Sequence, residues 1–138
     1  MPHIKLEYTQ NLPFPDDAKP LFAEIHRLVN SVAGVDIANC KSRLYKLENF
    51  WVGDAALSTA EKSSAALAPG FVHLEVRFVE GRSIEIKNRL AEQLKQALLD
   101  FLVGVLDQFD LQVTVEVSDI ILGEYAKYPA GSLTNQQG

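Results

Sequence analysis

Apolar and polar side chains alternate along the six residues HIKLEY, at positions 3–8. The apolar members fall on one side of an extended backbone: Ile4, Leu6 and Tyr8. The polar members fall on the other side: His3, Lys5 and Glu7. Alternation with a period of two is typical of a β-strand that has one buried face. The stretch therefore predicts a first strand that packs one face on a core.

A helix and a second strand are predicted after this first strand. After a turn-rich stretch at residues 11–17, apolar residues recur at helical spacing: Leu21, Ile25, Leu28, Val29 and Val32. Pro20 suits the first turn of a helix, and Gly34 suits the position just past its end. Residues 42–52 then predict a second strand, although they alternate less regularly.

The second half of the chain repeats this order. Residues 71–79 and 111–117 both alternate as strands, and Gly81 ends the first of them. Between them, Ser83 can cap an amphipathic helix whose apolar residues share one face: Leu90, Leu94, Leu98, Phe101, Leu102 and Val105. The chain therefore reads as strand–helix–strand followed by strand–helix–strand.

Two βαβ units in one chain predict a single α+β domain, an α/β sandwich, over residues 2–120. Each unit, residues 2–52 and residues 71–120, has a right-handed crossover between parallel strands. Together they form a four-stranded sheet with both helices on one face. The other face then needs a cover, and in a chain of this length we expect a second copy to supply it.

Two further segments lie outside the repeats. The connection at residues 53–70 is rich in Ala, Ser and Gly and predicts a short helix within residues 58–66. The C-terminal segment, residues 121–138, is turn-rich and ends in a polar tail, and we expect it to contact a neighbouring subunit.

The composition is that of a soluble globular protein. The 138 residues are 47% hydrophobic and 22% charged, and the net charge is −5. The acidic balance argues against a nucleic-acid partner, and no apolar run approaches the ~20 residues that span a bilayer. The N-terminus has no secretory pattern, and the one cysteine, Cys40, rules out an intrachain disulfide. We therefore expect a cytoplasmic protein with neither a nucleic-acid nor a membrane partner.

General signatures of catalysis are absent from the sequence. It has no glycine-rich phosphate loop, no metal-ligand spacing and no nucleophile elbow, so we expect no metal and no cofactor. The histidines His3, His26 and His73 are scattered, and the latter two are interpreted as structural or surface residues. Cys40 precedes basic residues that could activate a thiolate, but a lone cysteine at a strand start is more often simply packed.

Pro2 is a candidate catalytic residue of a different kind. Removal of Met1 would leave Pro2 with a free secondary amine, which could act as a base. Because Pro2 leads directly into the first strand, its nitrogen would be held on a rigid element instead of a frayed end.

Several segments of the chain, taken in order, resemble the 5-carboxymethyl-2-hydroxymuconate isomerases. These segments are PHIKLEY at residues 2–8, KSR at 41–43, FVHL at 71–74, GRSIE at 81–85 and, more loosely, EVSDI at 116–120. The family belongs to the tautomerase superfamily, with 4-oxalocrotonate tautomerase and macrophage migration inhibitory factor. The resemblance implies the tautomerase fold, a homotrimer and an isomerase. It also implies the mechanism of this family, in which the N-terminal proline moves a proton between the enol and a distant carbon of a muconate-type polycarboxylate.

The resemblance also implies which residues form the site. It assigns Pro2 and Arg82 as catalytic residues, and Arg43 and Lys41 as ligands of an anionic substrate. The family carries two arginines around the serine of the KSR segment, whereas this chain has lysine first, a point charge without a planar fork. The identity of the substrate is therefore left open. Each cation ~8 Å from the Pro2 amine, at an effective dielectric of ~20, would lower its pKa by roughly 1.5 units.

Alternatives remain at this stage. Phe50 and Trp51 could form an apolar wall that dries the amine, or they could be core or subunit-interface residues. The same scaffold could support a hydratase, a decarboxylase or a dehalogenase, each of which needs a positioned water. The chain could also be a non-catalytic member of the superfamily that binds a ligand.

Overall fold

A computed structural model describes residues 1–54 and 67–129 of the chain. The helix expected within residues 58–66 lies outside the described residues, as do residues 130–138 of the C-terminal segment.

In the described part of the chain, residues 1–54 and 67–129, four strands and two helices follow one another in the predicted order. They are β1 (His3–Thr9), α1 (Lys19–Ala33), β2 (Lys41–Leu47), β3 (Ala68–Val79), α2 (Ile84–Phe101) and β4 (Phe109–Ile120). Single 3-10 turns lie at Ile37–Asn39 and Leu122–Glu124. The two strand–helix–strand units are thus confirmed.

The residues chosen as helix boundaries act as predicted. Pro20 lies in the first turn of α1, and Gly34 ends the helix in the left-handed region at φ 69°, where a side chain would be strained. The Ser83 hydroxyl accepts a hydrogen bond from the Ile86 N–H at 3.2 Å and so caps α2.

The sheet joins the two units through an antiparallel pair of central strands. Its order is β2-β1-β3-β4, with β1 parallel to β2, β3 parallel to β4 and β1 antiparallel to β3. As a result β1 and β2 begin at the same end of the sheet at which β3 and β4 finish. At this end, called here the N-terminal end of the sheet, His3 lies between Lys41 and Arg77.

The core lies between the sheet and the two helices. Apolar side chains from the central strands and both helices are fully buried there: Ile4, Leu6, Ile25, Val29, Val72, Leu74, Val76, Leu90, Leu94 and Leu98. Burying each such side chain stabilises the fold by about 1.5–3 kcal/mol relative to leaving it exposed. The predicted sandwich, with both helices on one face, is confirmed.

The face of the sheet away from the helices, called here the open face, is polar. By register it carries alternate residues of all four strands, including His3, Lys5, Glu7, Lys41, Arg43, His73, Glu75, Arg77, Thr114, Glu116 and Ser118. Water can solvate such a face.

Several element boundaries differ from those predicted, among them both ends of β4, which runs over Phe109–Ile120 instead of residues 111–117. β2 ends at Leu47, not at residue 52, because its partner β1 ends opposite at Thr9. β3 begins three residues early, since Ala68 already pairs with Phe109. α2 ends at Phe101 and does not extend to Val105; a turn follows and contains Gly104, a poor helix former.

Within residues 1–54 and 67–129, no helix has the length and apolarity needed to cross a bilayer.

Candidate active site

The N-terminus is fixed to the sheet at its first peptide group. The Pro2 carbonyl accepts a hydrogen bond from the Lys41 N–H at 3.1 Å, which continues the pairing of β1 with β2. Pro2 itself is buried. With Met1 attached, the Pro2 nitrogen belongs to an amide and has no basic lone pair. Its basicity therefore depends on removal of Met1.

The surroundings of the N-terminus disfavour a protonated amine. The pKa of the Met1 amine is lowered from 8.0 to about 5, first by burial, then by the Lys41 ammonium and, more weakly, by Lys127. The burial and the nearby Lys41 ammonium both depend on where β1 begins in the sheet. A Pro2 amine would lie one residue further along the same strand.

A chain of three side chains crosses the open face beside Pro2. The Arg43 Nη1 and Nη2 atoms lie 3.3 and 3.2 Å from Nδ1 of His3. On the other side of the ring, Nε2 of His3 lies 2.7 Å from the Tyr125 hydroxyl. All three side chains are half-buried. Arg43 was predicted from the sequence as a site residue. The cluster that contains it also includes His3 and Tyr125, which were not predicted as site residues.

Lys41 lies next to this cluster but is more exposed. Its ammonium donates a hydrogen bond to the Asn39 carbonyl at 2.7 Å. Among the described residues neither Lys41 nor Arg43 forms an ion pair with a carboxylate. Both cations are therefore left for an external anion.

Arg82 lies at the same end of the sheet but on the side of the helices. Its Nε–H donates to the Ala33 carbonyl at 2.9 Å and Nη1–H donates to the Val79 carbonyl at 3.1 Å. The guanidinium stacks on the Phe78 ring at 5.1 Å, and the residue is only 7% exposed. Arg82 thus connects the last turn of α1 to the end of β3. The structure does not bring it together with Arg43 and Lys41 on the open face.

The aromatic wall expected from Phe50 and Trp51 is not at the amine of the same chain. β2 runs parallel to β1, so the residues after Leu47 lie at the opposite end of the sheet. With a rise of ~3.3 Å per residue, Glu7 lies roughly 17 Å from Pro2 along the strand. Trp51, 73% exposed, lines a groove of about 460 Å³ near Glu7. Of the two alternatives for Phe50 and Trp51, a wall beside the amine of the same protomer does not fit this geometry.

The remaining singled-out side chains have structural partners. His26 lies 2.6 Å from the Ser42 hydroxyl and His73 lies 2.7 Å from the Thr114 hydroxyl. Burial raises the pKa of the Cys40 thiol to about 11, which disfavours the thiolate that its basic neighbours could have activated. Within residues 1–54 and 67–129, no three acidic, histidine or cysteine side chains converge as a metal site would require.

Sequence reasoning missed His3, Tyr125 and Lys127. His3 was placed on the polar side of its strand, but its contact with Arg43 depends on the register between β1 and β2. Tyr125 and Lys127 lie in a segment without periodicity, which gives no local signal of what it packs against. One clue was available, since His3 directly follows the proposed catalytic proline.

The sequence profile of the family described as "5-carboxymethyl-2-hydroxymuconate isomerase" matches residues 2–128. The chain belongs to the 5-carboxymethyl-2-hydroxymuconate isomerase family. Membership makes it an isomerase of the tautomerase type.

Solved structures agree with this family and this fold. A 5-carboxymethyl-2-hydroxymuconate isomerase from Deinococcus radiodurans R1 is 27% identical, with 91% of this chain and 87% of that chain covered and a TM-score of 0.67. A 5-carboxymethyl-2-hydroxymuconate delta-isomerase is 21% identical, covers 96% and 90% of the two chains and has a TM-score of 0.69. A fused 4-OT, a wild-type symmetric trimer, is 21% identical over 97% and 98%, with a TM-score of 0.66. No protein with a curated description matches the sequence.

Proposed function

We propose that this isomerase, after loss of Met1, converts the enol form of a hydroxymuconate-like polycarboxylate into its conjugated ketone, with Pro2 as the general base. The observation that carries the proposal is the position of Pro2, which is buried at the start of β1 and bound through its carbonyl to Lys41, in surroundings that lower the pKa of the Met1 amine of the unprocessed chain. An amine that is unprotonated at neutral pH can accept a proton as soon as substrate binds. Burial and the ammonium of Lys41, which lower the pKa of the Met1 amine, are proposed to act on the Pro2 amine in the same direction.

The proposed reaction moves one proton and leaves the enzyme unchanged. The Pro2 lone pair takes the proton of the enol hydroxyl, and the electrons of that O–H bond form the ketone. The conjugated double bonds shift by one position. The protonated Pro2 then returns its proton to a carbon further along the chain. Negative charge grows on the substrate oxygen during the first step, so nearby donors accelerate it.

Arg43 and Lys41 are proposed to bind the carboxylates of the substrate. Both lie on the open face at the N-terminal end of the sheet and neither is neutralised by an acidic side chain of the described chain. Arg77 and Lys127 add positive charge nearby, since each is among the charges that act on His3 or on the N-terminal amine. This local field attracts an anion although the whole chain has a net charge of −5.

The role proposed for Arg82 as a catalytic residue has a structural condition. Its guanidinium can contribute fixed positive charge to the site from the side of the helices. Direct contact with substrate would require it to release the Ala33 or the Val79 carbonyl. A variant at this position therefore has to be judged on folded protein only.

We also propose a homotrimer in the cytoplasm. The symmetric trimer of the fused 4-OT supports the assembly, and the outer strands β2 and β4 each have an unpaired edge within the described chain. A solution mass of three times the 15.3 kDa chain is the expected result. The reducing cytoplasm suits a chain whose single cysteine, Cys40, has no disulfide partner.

The first test is the state of the N-terminus together with an enol assay. Mass spectrometry of the purified protein is expected to show that Met1 is absent, because only then is the Pro2 nitrogen a base. The enols of 2-hydroxymuconate and of phenylenolpyruvate should then be converted to ketones, the dicarboxylate faster because Arg43 and Lys41 can engage both of its ends.

Two outcomes would contradict the proposed function. A protein that keeps Met1 would have no basic lone pair on the Pro2 nitrogen, so Pro2 could not be the general base and the protein would be a ligand-binding member of the family. A processed protein that hydrates, decarboxylates or dehalogenates its substrate without forming ketone would instead use a positioned water.

A further inference from the structure

The hydrogen bonds around His3 determine which of its nitrogens carries the proton. A guanidinium has only donors, so Arg43 must donate to Nδ1 of His3, and Nδ1 must offer its lone pair. A neutral imidazole then carries its single proton on Nε2. That N–H donates to the Tyr125 oxygen at 2.7 Å.

This arrangement fixes the direction of the Tyr125 hydroxyl. Because Nε2–H occupies one acceptor position of the phenol oxygen, Tyr125 cannot donate its own proton to His3. Within residues 1–54 and 67–129 the Tyr125 hydroxyl makes no other hydrogen bond. Its O–H is a spare donor, and it lies beside the residue that follows Pro2.

We propose that Tyr125 is a further catalytic residue, which donates a hydrogen bond to the substrate oxygen, and that His3 is the positioning residue that orients both it and Arg43. The proposal rests on the proposed function, which supplies an oxygen that gains negative charge. His3 bridges the two side chains. Its Nδ1 accepts hydrogen bonds from Arg43, which is proposed to bind a carboxylate, and its Nε2–H donates to Tyr125, so that the phenol proton points away from His3.

The electrostatics keep this bridge in the required state. The pKa of His3 is lowered, first by burial and then by the N-terminal amine, Arg43, Lys41 and Arg77. A proton added at Nδ1 would face the Arg43 guanidinium directly. His3 therefore stays neutral at pH 7, and Nδ1 remains an acceptor.

The segment that carries Tyr125 is held in place independently of the hydroxyl. The Leu122 N–H donates to the Glu80 carboxylate at 2.8 Å, and the Glu80 N–H donates to the Ile120 carbonyl at 3.0 Å. The Tyr125 ring also meets the His3 ring edge-on, with centroids 5.9 Å apart. Removing only the hydroxyl should leave this segment in place.

Tyr125→Phe is the direct test, because it keeps the ring and deletes the donor. We expect kcat for the enol substrate to fall by about 10-fold while KM changes by less than about twofold, as for a donor used mainly in the transition state. The matched control is Tyr128→Phe in the same segment, where the side chain is 96% exposed. It should leave kcat and KM unchanged.

His3 variants separate positioning from packing. His3→Gln keeps an acceptor for Arg43 and a donor for Tyr125, so it should retain more activity than His3→Leu, which keeps neither. Nitrogen NMR of the wild-type protein should show Nε2 of His3 protonated and Nδ1 unprotonated at pH 7. This last readout needs no turnover.

Unchanged kcat in Tyr125→Phe would overturn the catalytic role of Tyr125, and a proton on Nδ1 would overturn the positioning role of His3. Both results can occur while Pro2→Ala still lowers kcat/KM by at least about 100-fold, in which case the proposed function stands. A wild-type protein that converts no enol would instead overturn the proposed function and the substrate contact of Tyr125 with it. The tautomer of His3 would still be decided by NMR.

Discussion

Pro2→Ala is expected to lower kcat/KM for enol-to-ketone conversion by at least about 100-fold, the lower end of the range for a positioned general base. Alanine at position 2 leaves a primary amine, so a residual rate above the uncatalysed reaction should persist. In the wild-type enzyme kcat/KM should be lost as the pH falls through the pKa of the Pro2 amine, because only the unprotonated amine accepts a proton. Since burial and Lys41 lower the pKa of the Met1 amine and we expect them to act in the same direction on the Pro2 amine, that loss should occur at a lower pH than for an exposed N-terminal amine.

The matched control for this variant is Pro15→Ala. Pro15 is an exposed proline in the turn before α1, away from the N-terminal end of the sheet. It should keep the wild-type rate and pH profile. Wild-type turnover in Pro2→Ala, with the N-terminus shown by mass spectrometry to begin at residue 2, would contradict the assignment of the base.

Arg82→Ala is expected to reduce the free energy of unfolding by about 2–4 kcal/mol. The substitution leaves the carbonyls of Ala33 and Val79 without their charged donor, and a buried unsatisfied polar group costs about 1–3 kcal/mol. It also removes the guanidinium from the Phe78 ring. The midpoint of thermal unfolding should fall by on the order of 10 °C, measured by circular dichroism.

The proposed catalytic role of Arg82 is tested by assaying Arg82→Ala at a temperature at which this variant is fully folded. A lower kcat/KM per folded molecule would support a contribution of its charge to the reaction. Wild-type kcat/KM, together with the lowered midpoint, would confine Arg82 to connecting α1 with β3. Arg89→Ala, at an exposed position of α2, is the matched control and should change the stability by no more than about 0.5 kcal/mol.

The fold was predictable because its signals are local. Alternation in residues 3–8 separates Ile4 and Leu6, which are fully buried, from the side chains of the open face. Gly34 and Ser83 act at their helix ends through the backbone of their immediate neighbours. Boundaries failed where a partner strand decided them, as at Leu47, which ends β2 because β1 has ended opposite.

The candidate site was only partly predictable because it depends on contacts between distant residues. The sequence could nominate Arg43 as a cation on the polar side of a strand, but not its contact with His3, which the register of β1 and β2 creates. It also could not tell that the Arg82 side chain faces the helices. A loop arginine has no period that assigns it to either face, and two backbone carbonyls in the core decide where it lies.

By itself, then, the sequence determined the two repeated units, the side of each strand that is buried and the proline that begins the chain after Met1. These follow from periods of 2 and 3.6 residues and from the identity of single residues. Only the tertiary structure decided that the start of β1, the start of β2, the end of β3 and the residues after β4 meet in one place. Strand order and register are set by packing between segments far apart in the chain, and that packing brings Tyr125 to His3 across 122 positions.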